Sequence, residues 1–332
     1  MSLPLEIRLL ILHFAICLPL DSPACPSVSQ YGRRRLPNKR TSNRIQWHNA
    51  VWQLPLTNPA FNILLVNHQL HDEVKDVLRF IPARYHVDIM FVKTHGFWPT
   101  WSVAVMPRSQ YIDAVSCTLR LFEPTPDLDK RFARSLSFRR GDGGPPSGAW
   151  SFHNLLAQLF DFGPGFLKPR RSRYVVGSIM IDIVAPTDAA PHSSFGQPEE
   201  DLKQGPTASW RSHAYDGRRK GDILIEKTLS SYLVDYFTSL VLLNYYTTNY
   251  GMFLWECVLD RIVFSVNGKK VESFEMEHIC QTHVPQYWGE SPSYIEERKR
   301  DWGVWRTWLM ERRGKMRDGL EVQDDSPVRS IM

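Results

Sequence analysis

Cysteine is scarce in this sequence, and the patterns that usually give cysteine a function are missing. The 332 residues contain five cysteines, no Cys-x-x-Cys pair and no Asn-x-Ser/Thr glycosylation site. An odd, low number of cysteines without paired spacing excludes a secreted disulfide framework and a zinc ribbon. We therefore expect an intracellular protein, located in the cytoplasm, the nucleus or both.

Long hydrophobic runs are also absent. A transmembrane helix needs about 20 consecutive apolar residues, and the apolar stretch that begins at Leu9 is shorter and contains His13. Apolar residues make up 43% of the chain, charged residues make up 23%, and the mean hydropathy is −0.31. These values exclude a polytopic membrane protein and a mostly disordered chain, so we expect no membrane partner.

The motifs of common enzymes are missing as well. The glycines at 141–144 form neither a Walker loop nor a dinucleotide fingerprint, and Gly177-Ser178 is not part of a Gly-x-Ser-x-Gly elbow. The histidine and cysteine spacings match no standard metal site; the candidates are His68, His71, Cys257, His278, Cys280 and His283. We therefore expect a non-enzymatic protein without cofactor or metal; an enzyme with a dispersed site is the alternative.

Acidic residues are absent between Asp21 and Asp72. Five of the eight residues at 33–40 are cationic: Arg33, Arg34, Arg35, Lys39 and Arg40. Such a cluster is typical of a nuclear-import signal or an anion-binding arm, and equally of a solvated loop. The whole chain carries 40 Lys and Arg against 35 Asp and Glu, a net charge of +5 that indicates no particular partner.

An apolar stripe marks the first residues of the chain. Pro4 suits the first turn of a helix, and the residues after it recur on one face at helical spacing: Leu3, Ile7, Leu10, Ile11 and Phe14. A folded helix ending before Pro19 explains this pattern. A cleaved or anchoring segment is the alternative at this position.

Periods of 2 and 3.6 residues predict an α+β fold. Strand patterns at 85–92, 101–106, 114–121, 174–184 and 257–274 predict a mostly antiparallel sheet, with an Asn267-Gly268 hairpin turn in the last segment. Helical patterns at 58–81, 222–246 and 292–313 predict helices that cover the sheet, and a shorter helix is expected at 150–160.

Loop-rich composition divides the chain. We predict a helical region at 1–82 with a basic loop insertion at 19–56, an α+β body at 83–315 and a flexible tail at 316–332. Within the body, the composition of 124–149 and 185–221 predicts disordered loops, because their apolar content is too low to offset the entropy of ordering them.

The last predicted helix mixes tryptophan with arginine. Trp302, Trp305 and Leu309 fall on one face, and arginines surround them. One interpretation is a basic aromatic surface that binds nucleic acid through phosphate contacts and stacking. The other is a helix that packs on the sheet through its tryptophans, with arginine stems at the rim.

Three short segments in order resemble a large class of fungal F-box-like proteins. Leu3–Ile11 resembles the LPxEIRxxI opening of the F-box, and Leu64–Val74 is similar to the LLxVNRQIHxE helix that follows it in that class. His86–Val92 and Phe97–Trp101 are similar to the start of the α+β body of those proteins. The resemblance covers roughly residues 1–123, and F-box-like helices followed by the sheet are the fold it implies.

The resemblance implies a protein-interaction adaptor. An F-box docks on the Skp-type linker of a cullin ubiquitin ligase, and the body recruits a client protein. Carried over residue by residue, the docking positions are Leu3, Pro4, Ile7, Leu10 and Ile11. A complete F-box is continuous, whereas 19–56 interrupts it here. We expect the helix at 58–81 to pack on one side of the first helix through Ile63, Val66 and Leu70, and the linker to take the other side. Nucleic acid is the less favoured partner.

Overall fold

A six-stranded mixed sheet forms the centre of the fold. The computed structural model describes residues 3–36, 50–56, 58–133, 147–166, 172–185, 225–244, 247–285 and 292–328. The sheet strands are β3 (Arg84–Val92), β4 (Gly96–Ser102), β5 (Tyr111–Phe122), β6 (Val175–Val184), β7 (Val258–Val266) and β8 (Lys269–Glu275). Their order is β4-β3-β5-β6-β7-β8. Two short strands, β1 (Arg34–Arg35) and β2 (Trp52–Gln53), pair separately.

The helices lie before, between and after these strands. They are α1 (Leu5–Cys17), α2 (Pro26–Ser29), α3 (Pro59–Leu64), α4 (His68–Phe80), α5 (Ser147–Phe162), α6 (Ile225–Val241), α7 (Thr248–Cys257), α8 (Met276–Thr282) and α9 (Pro292–Arg317). The predicted α+β class is confirmed. The predicted helix at 58–81 is two helices, because Asn58 and Asn67 each cap a helix by accepting a backbone N–H.

Strand direction differs from the mostly antiparallel prediction. The four central strands β3, β5, β6 and β7 are parallel, and antiparallel pairing occurs at the two edges, β3 with β4 and β7 with β8. Two of the three parallel pairings follow from helical connections: α5 leads from β5 to β6, and α6 and α7 lead from β6 to β7. A helical crossover returns the chain to the same end of the sheet, so the next strand runs parallel. The third, β3 with β5, is joined through β4, which runs back antiparallel to β3.

The predicted hairpin is present at the β7–β8 edge. Asn267 and Gly268 have φ values of 50° and 74°, as the two central residues of a type I′ turn require. The strand predicted at 101–106 begins earlier, at Gly96. Gly96 has a φ of 105°, and a side chain there would collide with the carbonyl of Ala50, so only glycine fits.

The main hydrophobic core lies between one face of the sheet and the helices. Alternate strand residues such as Ile89, Leu119 and Ile181 point to α5, α6, α7 and α9, and Trp255 and Trp305 fill the space between helices. A smaller cluster covers the opposite face at the β3–β4 end of the sheet; it contains Trp52, Met90, Val92, Trp98, Phe122 and Phe132.

Two predicted loops are ordered where the structure describes them. Residues 19–36 and 50–56 lie within the predicted insertion, yet the Leu20 backbone N–H donates to Ser102 Oγ at 2.8 Å and Arg120 donates to the Pro23 carbonyl at 2.8 Å. Residues 318–328 of the predicted flexible tail contact the body through side-chain hydrogen bonds. The loop predicted at 124–149 is described up to 133 and from 147, where α5 begins; 186–221 lies outside the described residues.

Candidate docking site

The first helix has two apolar faces. Leu12 and Ile16 are buried and belong to one cluster with Ala60, Val74 and Val77 of α3 and α4. The opposite face is exposed and consists of Leu3, Ile7, Leu10, Ile11, Phe14 and Leu18. We call this exposed set the outward stripe. Its members recur at helical spacing, so they form one continuous strip along the helix.

An ion pair fixes α1 on α4. The Arg8 guanidinium donates to both carboxylate oxygens of Glu73, with an Nη2–Oε1 distance of 2.7 Å and an Nε–Oε2 distance of 3.2 Å. Gln69 donates to the same carboxylate at 2.9 Å. These hydrogen bonds, led by the one from Arg8, lower the pKa of Glu73. The orientation of α1 is therefore set by a bidentate contact as well as by apolar packing.

The outward stripe exposes more apolar surface than a solvated helix needs. Leu3, Leu10 and Ile11 are 52%, 51% and 50% exposed, and Phe14 is 61% exposed. The six side chains together expose on the order of 500 Å², which is in the upper part of the range of about 300–600 Å² for the largest apolar patch on a typical monomer, a patch that is often functional. Patches of this size mark binding surfaces, so the outward stripe is the strongest candidate site among the described residues.

The sequence-predicted docking positions all lie on this exposed side. Four of them belong to the outward stripe, namely Leu3, Ile7, Leu10 and Ile11, and Pro4, which precedes the first turn of α1, is exposed. The segment at 58–81 packs on the other side of α1, as expected: Ile63 of α3 and Leu70 of α4 lie in one cluster with Leu12 and Ile16. Val66, expected to share in that cover, is 63% exposed instead.

The cationic cluster at 33–40 is divided. Arg33 is buried and donates to the carbonyls of Trp52 and Pro99 at 2.7 and 3.1 Å, while its guanidinium lies 5.2 Å from the centre of the Trp98 ring. Burial lowers the pKa of Arg33 to about 9. Arg33 therefore joins the segment that follows α2 to β4 and is removed from the predicted anion-binding or import set. Arg34 and Arg35 are exposed, and Lys39 and Arg40 lie outside the described residues.

Two of the three tryptophans of α9 are buried in the core. Trp302 and Trp305 contact Trp255 with ring centres 5.6 and 5.8 Å apart, and both are buried. Arg313 is also buried and donates to the carbonyls of Trp255 and Val258 at 2.9 and 2.8 Å. Side chains committed to the core cannot stack on bases, so these residues of α9 form no basic aromatic surface.

A cavity of about 290 Å³ lies where the end of α1 meets β3 and β4. His13, Cys17, His86 and Ser116 are among its lining residues. His86 Nδ1 is 3.1 Å from Ser116 Oγ, but this hydroxyl donates to the Tyr85 carbonyl at 3.3 Å. Cys17 Sγ is 3.9 Å from His13 Nε2, and burial raises the pKa of the thiol, which disfavours the nucleophilic thiolate. No sequence signal indicated this cavity.

Three of the other histidine and cysteine candidates have structural contacts. His71 Nδ1 is 3.0 Å from the Leu64 carbonyl, and Cys257 and Cys280 are buried thiols whose pKa burial raises. Within the described ranges no three His, Cys, Asp or Glu side chains are grouped to hold a metal ion.

None of the helices that the structure describes is both long enough and apolar enough to cross a bilayer. No protein-family model, no curated protein and no solved structure matches this chain.

Proposed function

We propose that this chain is a protein-interaction adaptor that binds its partner through the outward stripe of α1. The observation that carries the proposal is the contrast between the two faces of this helix. Leu12 and Ile16 anchor α1 on α4, while Ile7, Leu10 and Ile11 remain exposed in one strip. A helix held by its own protein with a second apolar face outward fits the hydrophobic groove of a partner.

The partner we propose is the Skp-type linker of a cullin ubiquitin ligase. Two observations support this choice. The docking positions implied by the F-box resemblance lie on the exposed side of α1, and α1, α3 and α4 share one apolar cluster, as the helices of an F-box do. We place the chain in the interior of the cell on the same proposal, because that is where the ligase acts.

A titration of the full chain with purified Skp-type linker tests this proposal. Ile7→Asp puts a carboxylate on the exposed stripe, where its own helix tolerates an acidic residue because position 7 is in the first turn. At the interface the same carboxylate loses water without gaining a partner, at a cost of several kcal/mol. We expect linker binding at least 30-fold weaker than that of wild type.

Val304→Asp is the matched control. Val304 is on α9 and is 49% exposed, close to the 45% of Ile7. The control introduces the same charge on another helix, so it should bind the linker as wild type does, and circular dichroism should show both variants folded. A wild-type chain that does not bind the linker, or equal loss in both variants, would refute the proposal.

A further inference from the structure

The C-terminal residues lie in a groove that holds them as a bound peptide is held. Residues 318–328 follow α9 and cross the starts of β5, β6 and β7. Because these three strands are parallel, their first residues lie at the same end of the sheet. The side chain of Val322 packs at this end against Tyr111, Val175 and Leu259, and against Met316 of α9.

A buried amide clamps the backbone at Val322. Gln110 is 1% exposed, its Oε1 accepts the Val322 N–H at 2.8 Å, and its Nε2 donates to the Val322 carbonyl at 3.2 Å. This paired contact reproduces the pattern that a neighbouring β-strand offers an extended peptide. It recognises the backbone of any residue, so the apolar socket around Val322 supplies the selectivity at this position.

A second subsite recognises a carboxylate two residues further on. Asp324 accepts the backbone N–H of Arg173 at 2.9 Å and pairs with the Arg312 guanidinium at 3.4 Å. Arg312 also donates to the Gln323 carbonyl, and Trp308 Nε1 donates to Asp325 at 3.2 Å. The groove therefore binds an aliphatic side chain and an acidic side chain two positions after it.

The segment has the burial pattern of a ligand and differs from a core element in this respect. Of residues 318–328, Val322 alone is buried; Ser326 and Val328 are half-buried, and the rest are exposed. Such a segment fully buries one aliphatic side chain and half-buries a second, Val328, against the main core, and the two are a small share of the apolar area that stabilises the fold. Contacts of this kind open locally at a low free-energy cost while the rest of the protein stays folded.

We infer that this groove is a peptide-binding site that the chain's own tail occupies, and that a partner protein docks there by displacing the tail. The partner segment is extended and carries an aliphatic residue followed two positions later by aspartate. Gln110 binds its backbone, the socket takes the aliphatic side chain, and Arg312 with the Arg173 N–H takes the carboxylate. The groove and the outward stripe share no residue, so this inference does not depend on the partner of α1.

The test uses the full chain and a labelled synthetic peptide with the sequence of residues 319–328. Val322→Asp removes the tail from the socket and leaves the groove intact. We expect this variant to bind the peptide at least tenfold more tightly than wild type, because the wild-type tail competes at the high effective concentration of a tethered ligand. Peptides carrying V322D or D324N should lose at least tenfold in affinity for the same variant.

Leu320→Asp is the matched control, because Leu320 is 55% exposed in the same segment and its hydrogen bond from Tyr111 goes to its backbone carbonyl. This control should keep its tail docked and bind the peptide as weakly as wild type. If Val322→Asp binds the peptide no better than this control, the groove accepts no peptide in trans. If Val322→Asp unfolds the whole chain, the tail belongs to the core. Either result overturns the inference.

Discussion

The same substitution should have very different effects on the two faces of α1. Leu12 is 6% exposed and Leu10 is 51% exposed, and they are two residues apart on one helix. Leu12→Ala removes a buried side chain from the cluster with Val74 and Val77. Buried leucine-to-alanine changes cost about 2–5 kcal/mol, and we take the lower half of that range, about 2–3 kcal/mol, because this cluster is small.

Leu10→Ala removes a side chain that already faces solvent. Such exposed substitutions usually change stability by less than about 0.5 kcal/mol, and alanine is the better helix former. The two variants therefore differ by about 2 kcal/mol in the free energy that holds α1 on α4, although both replace leucine by alanine within one helix.

Hydrogen exchange measures this difference directly. At a factor of ten per 1.4 kcal/mol, Leu12→Ala should lower the protection of the α1 amides by roughly 30-fold to 150-fold, because local opening controls their exchange. Leu10→Ala should change it by about twofold or less. Equal loss of protection in the two variants would refute the assignment of an inward and an outward face.

Three further predictions concern the rest of the fold. Burial lowers the pKa of His153 to about 4, so its contribution to the free energy of unfolding is complete above the unfolded-state pKa of about 6.5 and falls by about 3 kcal/mol as the pH drops to 4. Urea unfolding measured at several pH values should lose this pH dependence in His153→Phe; an unchanged pH dependence would contradict the assignment to His153. Gly251→Ala should lower the free energy of unfolding by several kcal/mol, because the new Cβ would lie 2.0 Å from the Leu240 carbonyl oxygen. An unfolding midpoint in urea equal to that of wild type would disprove this contact. Arg8 lowers the pKa of Glu73, so the ion pair between α1 and α4 should be complete at neutral pH and weaken as the pH falls through that lowered pKa. The hydrogen-exchange protection of the α1 amides should therefore fall in acid in wild type and show no such fall in Glu73→Gln.

Local signals in the sequence identified much of the fold. The Asn267-Gly268 turn, the Asn58-Pro59 helix start and the strand at 85–92 depend on neighbouring residues, and the structure has all three. Strand direction does not depend on neighbours. The parallel centre of the sheet follows from which strand receives the chain after α5 and after α7, and that pairing is a long-range choice.

The candidate site was predictable only in part. The apolar stripe through Ile7, Leu10 and Ile11 is visible in the sequence, but α1 is apolar on both sides, so periodicity alone does not tell which face packs on α4. Arg33 differs from Arg34 and Arg35 in its tertiary contacts and not in its type, so its burial had no local signal.

The tail shows the same limit of sequence reasoning. Residues 318–328 have the polar composition of a flexible segment, and one valine among them finds a socket built by residues far away in the sequence. Gln110, which clamps this valine, is separated from it by 212 positions. Neither composition nor periodicity reports a contact of that separation.

The most direct test of the central claim is a hydrogen-exchange footprint of the full chain with and without the Skp-type linker. If the outward stripe binds the linker, the amides of residues 3–18 gain protection on complex formation, and those of α9 around Val304 do not change. Protection confined to another surface, or no change at residues 3–18 under conditions where the linker is in excess, would contradict the claim that α1 is the docking helix.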